Sequence, residues 1–242
     1  MNTELPRGFR EHVINVGIKD GTNDFTLVVA DAACAAAGVF TQSRFAGPSV
    51  VISREHVANH MARAVVVISK NANVATGEVG MENAREIVAG VAKVLSCDPS
   101  EILIASTGVI GRQYPMEKVR AGLSLLSQSS AGTSADEVAR GIMTTDTVPK
   151  VAEAGVAGSQ SRVVGVAKGV GMIEPNMATL ITLMFTDADV AAVDLDRVFR
   201  SVIERTFNCL SIDTDTSTSD TALVLASGSS GPVDLGAFER AL

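Results

Sequence analysis

The residues between Gly165 and Phe185 carry the strongest chemical signal in the chain. They run Gly165-Val-Ala-Lys168-Gly-Val-Gly-Met-Ile-Glu-Pro-Asn-Met-Ala178-Thr179-Leu-Ile-Thr-Leu-Met-Phe185. A basic residue, two glycines and a Pro-Asn pair precede a threonine that opens an apolar run. Two readings fit. In one, a glycine-rich turn joins two buried strands and Thr179 is a simple β-former. In the other, the Ala178–Thr179 bond is an autoproteolytic junction: the Thr179 hydroxyl attacks the carbonyl before it, an ester forms, and water hydrolyses the ester. Thr179 is left with a free α-amine. A threonine hydroxyl is a weak nucleophile that needs a base beside it, and an N-terminal amine on the same residue can be that base. The reference pKa of such an amine, about 7.7–8.0, lies near working pH, where a general base is most useful.

Other catalytic kits are missing. The three histidines, His12, His56 and His60, lie in the first quarter of the chain, and no G-x-S-x-G nucleophile motif is present. His56 and His60 are spaced i,i+4, but the Val-Ala-Asn between them lacks the glutamate of the zinc-protease helix, so a solvated or capping role fits better than a metal site. No GxGxxG follows a strand pattern. The Gly165–Gly171 run lacks the G-K-[ST] order of a phosphate loop.

Elements that would position this chemistry can be read from periodicity. Phe25–Ala30, Ser49–Ser53 and Ala64–Ser69 are β-branched runs bounded by turn formers, which predicts strands. Glu82–Leu95 places Ile87, Val88, Val91, Val94 and Leu95 on one helical stripe. A buried strand is expected over Glu101–Ser106, and helices over Met116–Leu126, Ala135–Met143 and Asp194–Phe207. Arg162–Lys168, Leu180–Phe185 and Thr221–Ser227 complete the strands. Strands and helices interleave without a regular βαβ rhythm, so the pattern predicts a mixed α/β layered fold. Asp234–Leu242 begins as an amphipathic helix and stops without a cap, as a truncated chain would.

Composition limits the function classes. The chain has 242 residues, 46% hydrophobic but only 4% aromatic, so Ala, Val, Ile and Leu must fill the core. Net charge is −7 and no basic stripe with interleaved aromatics occurs, which argues against nucleic acid. No apolar run approaches the ~20 residues of a membrane span, and the N-terminus lacks the apolar core of a signal peptide, so a cytoplasmic protein is expected. Cys34, Cys97 and Cys209 have neither metal-ligand spacing nor an even count, and read as buried free thiols.

The junction Lys168-Gly-x-Gly-Met-x-x-Pro-x-x-Ala-Thr179 resembles the hallmark of the ornithine acetyltransferase (glutamate N-acetyltransferase) family. Asn71-Ala-Asn-Val-Ala-Thr-Gly77 looks like that family's Asn-Ala-Asn loop, with Val74 where alanine is more usual. Ser106-Thr-Gly-Val-Ile-Gly111 looks like its oxyanion loop. Met143-Thr-Thr-Asp-Thr147 and Asp215-Thr-Ser-Thr-Ser-Asp220 match two further motifs. These occur in the family's order over nearly the whole chain. The runs Arg44–Val51 and Gly111–Met116 resemble the branch found in clavulanic acid biosynthesis.

The resemblance implies a layered α-β-β-α sandwich, shared with L-aminopeptidase D-esterases. It implies maturation into an α chain, residues 1–178, and a β chain starting at Thr179, held together in assemblies of paired αβ units, a heterotetramer or larger. It implies ping-pong transfer of acetyl from N2-acetylornithine to glutamate through an acetyl-Thr179 intermediate, with no cofactor and no metal. Thr107 and Gly108 would form the oxyanion hole, Lys168 and Thr144 would bind substrate, and Asn71 and Asn73 would hold the loop. Thr145 competes with Thr144 for its role. Asp215–Asp220 is given no catalytic role. The family's glutamate in an acidic-Gly-Glu-Gly context, and its C-terminal Asn and Ser/Thr positions, have no counterpart in this chain. Glu174 stands where a small residue is commoner. Two other functions use the same residues: a hydrolase in which water resolves the acyl-enzyme, and an unprocessed relative that binds an amino acid without turnover.

Overall fold

A computed structural model describes residues 2–126, 130–170, 180–212 and 217–242. Its spine is a sixteen-residue strand, β2 (Phe25–Phe40). The first part of β2 pairs with β1 (Phe9–Ile14) and with β3 (Met61–Ile68), both antiparallel. The register on β3 shifts between Val29 and Cys34, and the last part, Ala35–Phe40, pairs with β8 (Thr221–Ala226). Such a bulge bends a strand and lets it serve two surfaces. β4 (Ile102–Ser106) lies parallel to β3, and β7 (Ile181–Thr186) parallel to β8. β6 (Arg162–Lys168) and β5 (Lys150–Gly155) continue antiparallel from β7. The order is β4-β3-β2-β8-β7-β6-β5, with β1 on β2.

Side-chain alternation along these strands sorts the core into layers. Val65, Val67, Leu103 and Ala105 from one half of the sheet share a buried cluster with Val164, Val166, Leu183, Phe185, Leu223 and Leu225 from the other. The Phe9 and Phe185 rings meet there, with centroids 5.2 Å apart. The two halves therefore face each other. On the opposite faces, Ala64, Val66, Ile68 and Ile104 pack under α2 (Gly77–Leu95) and α3 (Met116–Leu126). Met184, Val224 and Ala226 pack under α5 (Ala192–Arg205) and α6 (Leu235–Ala241). This is helix–sheet–sheet–helix layering, as the resemblance implied. α4 (Ala135–Ile142) adds Val138, Ala139 and Ile142 to the inner layer.

Three expectations are corrected. Ser49–Ser53 is not a strand but lies in α1 (Pro48–His56), which starts with proline in its first turn. A first-turn proline is compatible with helix because its missing N–H has no intrahelical acceptor to lose. The Ser53 hydroxyl, bonded to both the carbonyl and the N–H of Ile104 at 2.6 Å, fixes the helix against β4 and overrides the β-branched propensity. Secondly, β1 and β5 were not anticipated: both carry charged residues and lack a clean alternation. Thirdly, of the cysteines only Cys34 is buried, its pKa pushed up to about 12 by that burial; Cys97 is half-buried and Cys209 exposed. The C-terminal helix is present, and Asp234 caps its start by accepting from the Ala237 N–H at 2.8 Å.

Candidate active site

Thr107 and Gly108 follow directly on β4, whose five residues are all buried. Gly108 has φ +132°, and a Cβ there would collide with the Lys70 carbonyl, so only glycine lets the two backbones approach. The approach is laced by hydrogen bonds. Val109 N donates to Lys70 O at 3.2 Å, Ala72 N to Val109 O at 3.0 Å, and Gly111 N to Val74 O at 2.8 Å. Asn71, 2% exposed, donates from Nδ2 to Gln113 O and accepts the Asn73 N–H on Oδ1. Asn73 Nδ2 reaches Gly80 O at the start of α2. The Asn-Ala-Asn loop thus straps down the 106–111 loop through its backbone, while the Asn71 and Asn73 side chains tie it to Gln113 and to the start of α2.

Thr107 uses its own N–H on Ile68 O, which leaves its hydroxyl for other work. That hydroxyl accepts a hydrogen bond from Lys168 Nζ at 3.3 Å. Lys168 ends β6 and is 3% exposed, so it is not a surface lysine. Burial lowers its pKa, opposed first by the charge of Asp146. The Asp146 carboxyl is itself enclosed. Burial disfavours its charge, but Lys150 Nζ at 2.7 Å and the N–H groups of Gly169 and Thr144 outweigh that and hold its pKa below the ordinary value. One carboxylate therefore pins the Thr144 turn to the residue after Lys168.

Asp220, fully buried just before β8, accepts the Leu180 N–H on Oδ1 at 2.7 Å. Leu180 is the residue after Thr179. Oδ2 has no hydrogen-bond partner among the described residues. Burial raises the Asp220 pKa to about 7, partly offset by the Leu180 N–H, by Ser217 and by the charge on Lys168. Asp220, Thr107, Lys168 and Leu180 line one narrow crevice with no room for a water molecule.

Thr107, Gly108, Thr144, Thr145 and Lys168 are among the residues lining an open cavity of about 850 Å³. The structure thus brings together four of the sequence-chosen residues, and it places Thr145 on the same wall as Thr144. Ala178 and Thr179 lie outside the described residues. Lys70, Asp146 and Asp220 were not among the expected site residues, although two of them sit inside quoted motifs; burial marks the two aspartates, and the cavity lining marks Lys70. The histidines are elsewhere: His56 Nδ1 bonds Ile102 O at 2.8 Å, and His60 Nδ1 lies 3.9 Å from Asp196.

The sequence model of the ArgJ family matches residues 10–242. The arginine biosynthesis bifunctional protein ArgJ 2 of Nostoc sp. is 53% identical, over 99% of this chain and 62% of its own length. Glutamate N-acetyltransferase Oat2 of Streptomyces clavuligerus is 55% identical, over 99% of this chain and 61% of its own. The crystal structure of ornithine acetyltransferase from Mycobacterium tuberculosis, complexed with ornithine, superposes with TM-score 0.62 at 31% identity, covering 74% of this chain and 96% of that one. The chain thus spans about three-fifths of the curated relatives it matches.

Proposed function

Because the chain belongs to the ArgJ family, we propose that it is part of a self-processing N-acetyltransferase that moves acetyl from N2-acetylornithine to glutamate. Thr179 cleaves the bond to Ala178 and becomes the N-terminal nucleophile of the second chain. Its α-amine then takes the hydroxyl proton as the hydroxyl attacks the acetyl carbonyl. Ornithine leaves, acetyl-Thr179 remains, and the glutamate amine attacks it in the second half of a ping-pong cycle.

The observation that carries this reading is the meeting of Thr107, Gly108, Thr144 and Lys168 at one cavity, next to the anchored Leu180. The Thr107 hydroxyl, polarised by the Lys168 ammonium, and the Gly108 N–H are the donors for the oxyanion. A donor aimed at developing negative charge contributes roughly 3–4 kcal/mol to the barrier reduction. Lys168 and Thr144 bind the substrate. Residues 1–178 form the first product of processing and residues 179–242 the start of the second, and the cleaved units assemble further as paired αβ units in the cytoplasm.

Intact-mass and N-terminal analysis of purified protein should find a chain beginning Thr-Leu-Ile-Thr, and ornithine release from acetylornithine should depend on glutamate. Thr179→Ala should leave one uncleaved chain with no transfer. A processed and active Thr179→Ala protein would rule the mechanism out, and release that ignores glutamate would replace transfer by hydrolysis.

A further inference from the structure

Lys70 has a backbone φ of +77°, in the left-handed region where glycine is the default residue. Lysine gains nothing from that geometry: unlike asparagine or aspartate, it has no short polar side chain to bond its own backbone there. Its side chain must therefore matter where it ends. Lys70 Nζ is held by the carbonyl of Met143 and by Ser69 Oγ, which takes two of the three ammonium protons and places the head group on the cavity wall beside the Thr144 turn.

The cavity wall gives that ammonium a purpose. Lys19, Lys70, Arg112 and Lys168 all line it, and no Asp or Glu does among the described lining residues. The protein as a whole has net charge −7, so this concentration of cations runs against its composition. Asp24 and Asp146 counter the charge of Lys70, and Asp146 and Asp220 that of Lys168, but none of the three lines the cavity: Asp24 is bonded to the N–H groups of Val16, Ile18 and Lys19, and Asp146 to Lys150 and Gly169. Lys70 and Lys168 line the same cavity, and the positive charge of Lys70 adds to what disfavours the Lys168 ammonium. Like charges gathered in a shared concavity repel unless an anion sits between them.

We propose that Lys70 is a specificity-determining residue: with Lys168 it forms a two-cation seat for a second carboxylate on the ligand, so that the cavity selects a dicarboxylic amino acid over its uncharged amide. This rests on the function proposed above and refines it, because glutamate has that second carboxylate and the ornithine side chain has a cation instead.

The test separates a recognition role from a structural one. Lys70→Gly removes the ammonium and suits the backbone, whereas Lys70→Gln keeps a hydrogen-bonding side chain without charge. Titration calorimetry with glutamate and with glutamine should show the parent preferring glutamate by about tenfold or more, and both variants losing that preference. KM for glutamate should rise about tenfold in both, with KM for acetylornithine changed less than twofold. Equal binding of glutamate and glutamine by the parent, or an unchanged preference in the variants, would overturn the proposal. If the parent transfers no acetyl group, the function proposed above fails, while the calorimetry still decides the role of Lys70.

Discussion

At the scale of single residues, Asp220 makes the sharpest demand on its surroundings. Its ordinary pKa of 3.8 is raised by burial to about 7. The folded state therefore holds a proton that the unfolded chain releases between about pH 4 and about pH 7, and Asp220 makes stability fall as pH rises through that window. Asp146 has the opposite sign: its lowered pKa contributes stability above the ordinary carboxylate value and loses it in stronger acid. The two effects thus occupy different pH ranges. Urea unfolding at about pH 4.5 and about pH 7.5 should show Asp220→Asn gaining stability relative to the parent at the higher pH. A constant difference between the two proteins at both pH values would show that Asp220 is not held protonated. Sequence patterns could not supply this. Thr107, Gly108, Thr144 and Lys168 were chosen by the motifs around them, and all four line the cavity. Asp220 stands in a Thr-Ser-rich stretch that reads as a polar turn. Its weight comes from the strand β8 that follows and from the Leu180 N–H it accepts, a partner forty residues away.

At the scale of elements, the site is built by two loops strapped together. The 70–77 loop holds three non-glycine residues at positive φ, Lys70, Asn73 and Ala75, and such backbone persists only where surrounding bonds over-determine it. Asn71 supplies several of those bonds. Asn71→Ala would leave the Asn73 N–H and the Gln113 carbonyl without side-chain partners, and we expect it to destabilise the fold by roughly 1–3 kcal/mol. It should also lower kcat/KM, because the Gly108 N–H loses its fixed direction. Loss of stability with full activity in the folded fraction would separate the strap from the proposed oxyanion role of the 106–111 loop. The motif made this loop visible in sequence, and the pairing with 106–111 explains why its asparagines are needed. Where the elements were misread, longer-range contacts decide the outcome. The Val50-Val-Ile52 run is β-branched, yet Pro48 and the Ser53–Ile104 bonds make it helical. β1 is a charged strand that exists because β2 offers it an edge, with Phe9 reaching into the shared layer.

At the scale of the whole molecule, the order of strands decides what cleavage before Thr179 would do. β7 and β8 follow the proposed cut, and both lie between strands that precede it, β8 on β2 and β7 on β6. Each of those borders is six residue pairs long, and Leu183, Phe185, Leu223 and Leu225 are buried in the layer shared with Val65 and Leu103. Pulling the second chain out would open the sheet along two edges and expose that layer. At about 25 cal/mol per Å² of apolar surface, even a few hundred Å² costs several kcal/mol before any hydrogen bond is counted. Processed protein should therefore elute as one species in native size-exclusion chromatography and split into two chains only in denaturant. The second chain expressed alone should stay unfolded, since β8 and β7 pair with each other but lack both flanking strands and the facing layer. Spontaneous separation of the processed chains without denaturant would contradict this strand order, because no peptide bond before Thr179 is needed to keep β7 and β8 in place.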